Sequence, residues 1–380
     1  MGVELFGGLY SGKRVLVTGH TGFKGSWLCL LLKKLGAEII GYALGVPTEP
    51  NHFELVCPQV ISVIGDIRDR ERLFQIFKKY SPEVVFHLAA QPIVRRSYSS
   101  PVETLETNVM GTVNVLEAAR RFDSVKALVL ISSDKCYENR EWLWGYRESD
   151  RLGGYDPYSA SKACIEIIAG AYRRSFFHPE EYGKEHHVLV ATARSGNVIG
   201  GGDWGEDRLI PDLVRACAKG EKAIIRSPDS VRPWQHVLEP LVGYLLLGSR
   251  LLAEEIEFAD AWNFGPDEPS EATVIEVVQK MKFVWKKIDY VTSSTKSEKH
   301  ESKILRLDCS KARMRLSWKP VWNLDKAINV TAAWYREFYE RGNVRSSEDL
   351  DEYVHDASTC NAVWTSKTSG SSRNSKSQEV

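Results

Sequence analysis

The chain has 380 residues, and its 50 Lys plus Arg offset 50 Asp plus Glu, so the formal charge at pH 7 is +0. That balance excludes a global field for nucleic acid or an anionic membrane surface. The length fits two or three domain-sized units, or one large α/β unit with an appended lobe, and an ample core. The seven cysteines, Cys29, Cys57, Cys136, Cys164, Cys217, Cys309 and Cys360, contain no Cys-x-x-Cys pair. Such a scattered, odd set argues against a disulfide framework or a zinc site and fits reduced thiols in a cytoplasmic protein. No basic region followed by an apolar run opens the chain, so no secretory leader is expected.

Arg14-Val15-Leu16-Val17 reads as a buried strand. Thr18-Gly19-His20-Thr21-Gly22-Phe23-Lys24-Gly25 follows, and then Leu28, Leu31, Leu32 and Leu35 form one helical stripe that stops at Gly36. Three glycines thus lie in a strand-to-helix turn. Such a turn lets backbone N–H groups approach a pyrophosphate at a helix N-terminus. Further strands are predicted at 38–42, 60–64, 84–90 and 127–131, with helices at 70–80 and 108–121 between them. This alternation predicts a Rossmann-like, doubly wound parallel sheet with helices on both faces. Its ligand crevice lies beyond the carboxyl ends of the strands, where Gly19, Asp66, Ala89 and Ser133 all fall.

From about Phe177 the rhythm loosens. Segments 197–207 and 227–236 are rich in Gly, Pro, Asp and Trp and read as loops of a smaller interleaved lobe. Leu238 to Leu252 is apolar but interrupted by Glu239, Pro240, Gly243, Gly248 and Arg250, so a buried helix is expected and not a membrane span. Ser293 to Ser302 reads as a polar insertion. Residues 358–380 hold seven serines, and a disordered tail over 356–380 is expected, with Trp364 as the discordant residue.

Asp156-Pro157 suits a helix start, and Tyr158 and Lys162 follow at i, i+4 on one face of that helix. A phenol with a pKa of about 10 is a poor base at neutral pH. Lowering it by about three units needs about 4 kcal/mol, which a lysine ammonium and a second cation in a water-poor cleft can supply.

The glycine turn, His87-Leu88-Ala89-Ala90, Asn108-Val109-Met110-Gly111-Thr112, Ser133 and Tyr158-x-x-x-Lys162 together resemble the extended short-chain dehydrogenase/reductase family of NAD-dependent epimerases and dehydratases. The resemblance runs from about Lys13 to Tyr339. Ser132-Ser133-Asp134-Lys135-Cys136-Tyr137 narrows it to the sugar-nucleotide 4,6-dehydratases. So do Glu141 to Tyr146, Ala193 to Trp204, Arg232 to Val237 and Leu307 to Ala312.

The resemblance implies a nucleotide-linked hexose as substrate, NAD as a cofactor that ends as it began, and a homodimer or higher homo-oligomer. It implies an NAD-binding unit over 11–190 with later crossover segments, and a mainly substrate-binding lobe over 191–340. Catalysis falls to Ser133, Asp134, Lys135, Tyr158 and Lys162. Tyr158 takes the 4-hydroxyl proton, Asp134 is the acid for the departing 6-hydroxyl, and Lys135 is the candidate C5 base. Many sugar-nucleotide dehydratases carry a glutamate at the position of Lys135. Cofactor contacts are expected from Gly19, Thr21, Gly22, Phe23, Lys24, Gly25, Asp66, Ile67, Leu88, Ala89, Ala90 and Asn108. Substrate contacts are expected from Arg194, Asn197, Arg208 and Arg232, since guanidinium forks suit phosphate oxygens.

No metal is expected, because His87 and His236 lack partners at ligand spacing. Gly41 to Thr48 holds neither an acid for a ribose hydroxyl nor an arginine for a 2′-phosphate. A returning hydride needs no reducing drive, which favours NAD over NADP. The rival activities are a 4-epimerase, a dehydratase for another nucleotide, and a non-catalytic NAD-binding protein.

Overall fold

The computed structural model describes residues 5–56, 58–267, 271–293 and 305–365. Its strands are β1 (Arg14–Thr18), β2 (Glu38–Ala43), β3 (Ile61–Ile64), β4 (Val84–His87), β5 (Ala127–Ile131), β6 (Leu189–Ser195), β7 (Val198–Ile199), β8 (Ala223–Ile225), β9 (Val231–Pro233), β10 (Gln235–His236), β11 (Ala261–Phe264), β12 (Glu271–Thr273) and β13 (Tyr290–Thr292). The helices are α1 (Phe23–Lys34), α2 (His52–Val56), α3 (Arg70–Tyr80), α4 (Val94–Ser99), α5 (Pro101–Leu105), α6 (Gly111–Arg121), α7 (Pro157–Ser175), α8 (Leu209–Lys219), α9 (Leu238–Leu252), α10 (Val274–Val284), α11 (Ser310–Arg315), α12 (Leu324–Arg341) and α13 (Ser346–Thr359).

Seven strands form one sheet in the order β11-β6-β5-β4-β1-β2-β3, with every pairing parallel. The expected doubly wound architecture is therefore present. Val15 to Val17, Val84 to Phe86 and Ala127 to Leu130 are buried throughout, as a sheet covered on both faces requires. Leucines of α1 and α9 pack on one face. Residues of α3, α6 and α7 pack on the other. β6 and β11 extend this sheet although they follow the loosened region. A separate core of α8, α10 and α12 side chains also takes in residues of the short strands β7, β8 and β12.

Two sequence expectations change, and a third falls largely on residues not described. The helix expected from Asn108 begins earlier, at Pro101, and passes through a π turn at Glu106–Met110 before α6. Asn108 sits in that turn, where Gln91 and Ser161 hold its amide. The insertion at Ser293 to Ser302 lies outside the described residues after Ser293. The tail expected to be disordered from 356 is structured as far as Thr365. Trp364 is 3% exposed and stacks on Phe6 and Tyr353 at ring-centroid distances of 5.3 Å and 6.0 Å. Burying an indole between two rings outweighs the polar composition around it.

The break in the apolar 238–252 run also has a purpose. Glu239 is fully buried at the start of α9. Its carboxylate accepts from Val321 N (2.9 Å), Trp322 N (2.7 Å) and the Tyr353 hydroxyl (2.7 Å), tying α9 to α13. Burial pushes its pKa up to about 7. Glu239→Ala leaves three donors unpaired and is expected to cost about 3 kcal/mol in urea unfolding. The folded state holds this proton more tightly than the unfolded chain. Stability from this group therefore falls as pH rises from about 4 through about 7, and Glu239→Gln should flatten that slope.

Candidate active site

β1 ends at Gly19, whose φ of +72° is left-handed. A Cβ there would stand 2.8 Å from Ala89 N. A Cβ on Gly25 would strike the Gly19 carbonyl. Glycine is therefore required at both positions for the turn to lie flat against the end of β4. Gly22 begins α1 with no side-chain cap. An N-terminus left in this state suits an anionic group. Thr21 Oγ1 donates to Gly45 O at 2.5 Å and closes the turn over β2.

Leu88, Ala89 and Ala90 lie half-buried beyond β4, and Ile67 is buried beneath Gly111. The Asp66 carboxylate lies beyond β3 and is held by Arg68, with Nη2 to Oδ2 at 2.6 Å. This pairing holds its pKa below the usual carboxylate range. The cap of α3 is Asp69, whose carboxylate accepts from Arg72 N. Asn108 departs from the expected cofactor contact. It is fully buried, accepts from Gln91 N and donates to Gln91 O and Ser161 Oγ. It supports the loop after β4 from behind.

The catalytic candidates come together. Ser133, Asp134, Tyr158 and Lys162 are 8%, 5%, 8% and 5% exposed. Asp156 caps α7 by accepting from Ser159 N. Tyr158 and Lys162 therefore sit in the first two turns of that helix, beside the end of β5. Lys162 Nζ donates to Ile131 O at 3.2 Å and lies 5.9 Å from the Tyr158 ring centroid. Ser133 Oγ donates to Asp134 Oδ1 at 2.9 Å, and both residues lie near enough to act on the Tyr158 phenol. Lys135 is half-buried, and its N–H donates to Ser133 Oγ at 3.3 Å.

Burial sets the protonation states. It pushes the Asp134 carboxyl up, against the pull of Lys135 and Lys24, so the neutral acid is accessible as the resemblance requires. It pushes Tyr158 up to about 12. Desolvation outweighs the opposing influence of Ser133 and Arg208 on this phenol. Lys162 is brought down to about 8 by the same burial.

The candidate substrate residues divide. Arg208 is paired with Asp203 at 2.9 Å, and its charge faces Tyr158. Arg232 lies on β9, half-buried, and Asn197 lies in the turn between β6 and β7. Arg194 does not serve a diphosphate. It is 3% exposed, with Nη2 on Glu166 at 2.9 Å and Nη1 on the Tyr137 hydroxyl and Glu148 O. A guanidinium with both ends engaged in the interior cannot reach a ligand.

Three residues join the site from outside the expected set or in an unexpected place. Lys24 reaches past the turn, and its Nζ donates to Ser195 Oγ at 2.9 Å. Burial lowers its pKa to about 7, helped by Lys162 and opposed by Asp134. Ser195 in turn meets the Tyr244 hydroxyl at 2.6 Å. Tyr244 looks like core in an apolar helix, and only its hydroxyl hinted otherwise. His87 and His236 are buried, and burial holds both near 3. Among the described residues no cluster of three or more His, Cys, Asp or Glu is placed to hold a metal.

Known proteins share this arrangement. The chain is 49% identical over 350 residues to the CDP-glucose 4,6-dehydratase of Salmonella typhimurium, covering 91% of this chain and 97% of that one. The structure of epimerase Mth375 from Methanothermobacter thermautotrophicus matches with a TM-score of 0.75 at 26% identity, over 88% of this chain and 95% of the other. The Thermus thermophilus UDP-glucose 4-epimerase complex with NAD matches with a TM-score of 0.73 at 25% identity, over 85% and 99%. A family model for GDP-mannose 4,6-dehydratase matches residues 16–331, which span the glycine turn, the buried acid and the Tyr158 helix. On both counts the chain belongs to the GDP-mannose 4,6-dehydratase family.

Proposed function

We propose that the chain converts CDP-glucose to CDP-4-dehydro-6-deoxyglucose and water. One observation carries this reading beyond family membership. A buried carboxyl suited to protonating a leaving group, Asp134, accepts from Ser133 Oγ and lies near the buried Tyr158. An epimerase needs no such acid. The 49% identity to the Salmonella typhimurium enzyme supports the cytidine nucleotide.

The enzyme uses NAD, and the bare N-terminus of α1 and the flat glycine turn fit a dinucleotide pyrophosphate there. Gly19, Gly22 and the first turn of α1 would hold it, with Leu88 to Ala90 alongside. When bound, it supplies transient acceptance and return of a hydride.

The chain's own residues do the rest. Tyr158 Oη takes the 4-hydroxyl proton. Lys162 presents its charge to that oxygen and steadies the end of β5. The C4 ketone acidifies C5–H, and Lys135 Nζ removes that proton. Asp134 protonates the departing 6-hydroxyl oxygen. Arg208 and Arg232 orient the diphosphate, and Asn197 the adjoining sugar. We place the enzyme in the cytoplasm, supported by free thiols at Cys29, Cys136, Cys164, Cys217, Cys309 and Cys360.

The active species is a homodimer in this reading. α5 and α7 are neighbours, and their outer sides leave Val102, Leu105, Met110 in the following turn, and Ile167 between 41% and 66% exposed. A contiguous apolar face of this kind marks a protein contact. Ile167→Glu should shift the sedimentation coefficient to that of a monomer.

Incubation with CDP-glucose is expected to give a product lighter by one water in mass spectrometry, whereas an epimer conserves mass. Tyr158→Phe should lower kcat by about 10³-fold while dinucleotide binding, followed by fluorescence, stays intact. Deuterium placed at C4 should be found at C6. Loss of that label to solvent would contradict a closed transfer.

A further inference from the structure

Resting on the dehydratase reading above, we propose that Arg95 and Arg226 form a second guanidinium pair for the substrate diphosphate, beside Arg208 and Arg232. Asp207 is the anion that holds their place until the diphosphate arrives. The three residues come from separate parts of the chain. Arg95 stands in the first turn of α4, Asp207 immediately precedes Arg208 at the start of α8, and Arg226 directly follows β8. Arg95 Nη1 lies 3.4 Å from Asp207 Oδ1, and Arg226 Nη1 lies 3.5 Å from the same oxygen. One carboxylate oxygen thus gathers a cation from the sheet-bearing unit and another from the smaller lobe.

This meeting point lies at the rim of the crevice. α4 follows the loop beyond β4 and packs against α7, the helix of Tyr158 and Lys162. Gln91 anchors its start, because Gln91 Oε1 accepts from Ile93 N at 2.6 Å. On the opposite wall, Asp203 pairs with Arg208 at 2.9 Å, and Asp203 N donates to the Tyr335 hydroxyl of α12. The contacts of Asp207 therefore bridge two walls that are each fixed by other bonds.

The bridge is built to be exchanged. Its two separations are longer than the roughly 2.8 Å of a charge-assisted hydrogen bond. The side chains of Arg95, Asp207 and Arg226 are 35%, 33% and 44% exposed, so water screens both pairs and each adds little to stability. Charge is also left over. Arg95, Arg226 and Arg215 share two carboxylates, Asp207 and Asp212. A phosphate offers a guanidinium fork the same kind of acceptor as a carboxylate, with more oxygens to engage. The diphosphate that Arg208 orients arrives next to Asp207, its neighbour in the chain. The two forks then turn from carboxylate to phosphate, and Asp207 is left as a like charge beside the ligand. The arginines favour binding and the carboxylate between them opposes it.

The test is the sign of each substitution on the Kd of CDP, measured by titration calorimetry on the full chain. Arg95→Gln and Arg226→Gln should each raise Kd by about fivefold or more. Asp207→Asn should lower it by about threefold or more, because it removes both a competitor and a like charge. Arg95→Lys and Arg226→Lys keep the charge without the fork and should fall between the native chain and the glutamine variants. In the Asp207→Asn background, Arg95→Gln should still weaken binding. A raised Kd in Asp207→Asn overturns the proposal, as does an Arg95→Gln effect that vanishes once Asp207 is gone. Either result makes the three residues a clasp between the lobes and nothing more.

The substrate reading is judged separately. If the native chain does not bind CDP but binds UDP, dTDP or GDP, the cytidine assignment fails, and the same signs are required with the nucleotide that binds. A native chain that binds none of the four overturns the guanidinium pair as well.

Discussion

The Arg194–Glu166 ion pair sets the geometry of the whole site. It joins β6 to the middle of α7, with side chains 3% and 1% exposed. Burial works against both charges, yet their mutual attraction holds the Glu166 carboxylate below its usual range and the guanidinium above its own. Glu166 also accepts from Thr192 Oγ1, and Arg194 donates to the Tyr137 hydroxyl and Glu148 O. A buried pair engaged through Glu166 Oε2 and both terminal nitrogens of Arg194 resists displacement, since breaking it would strand a charge in the interior. α7 is thereby fixed in rotation against the sheet, and Tyr158 and Lys162, two turns and one turn before Glu166, lie beside the end of β5.

The chemistry follows from the dryness that this packing imposes. Desolvation raises Tyr158 and Asp134 and lowers Lys24 and Lys162. Each of these groups is pushed toward neutrality, so small differences in partner decide where a proton resides. Polar side chains such as Ser133, bonded to Asp134, and Ser195, set between Lys24 and Tyr244, then satisfy groups whose charges are costly to bury. Preorganised donors in such a medium act more strongly than they do in water.

Much of this was legible in the sequence because local spacing maps directly onto local geometry. The glycine turn required no tertiary knowledge, since its flanking strand and helix stand next to it in the chain. Tyr158 and Lys162 likewise share a helix face by spacing. Arg194 was misread because its partner, Glu166, lies on another element, and a lone arginine in a motif-rich segment looks available. Asn108 was misread for the same reason, its amide being consumed by Gln91 and Ser161. Lys24, Ser195 and Tyr244 come from α1, β6 and α9, and no periodicity links residues so far apart. Trp364 was hidden by a serine-rich neighbourhood that diluted the signal of a single buried indole.

The stacking of Trp364 on Phe6 has a consequence for how the molecule is completed. The segment that precedes β1 finds its final packing only once the stretch beyond α13 has been synthesised. Phe6 also meets Tyr10 edge-on, and the Tyr10 hydroxyl donates to Leu245 O, so the seal extends to the sheet-covering helix α9. A nascent chain lacking its last described turn would leave this apolar seam open to water and to chaperones. Docking of Trp364 closes it like a clasp on the face of the sheet that α9 covers.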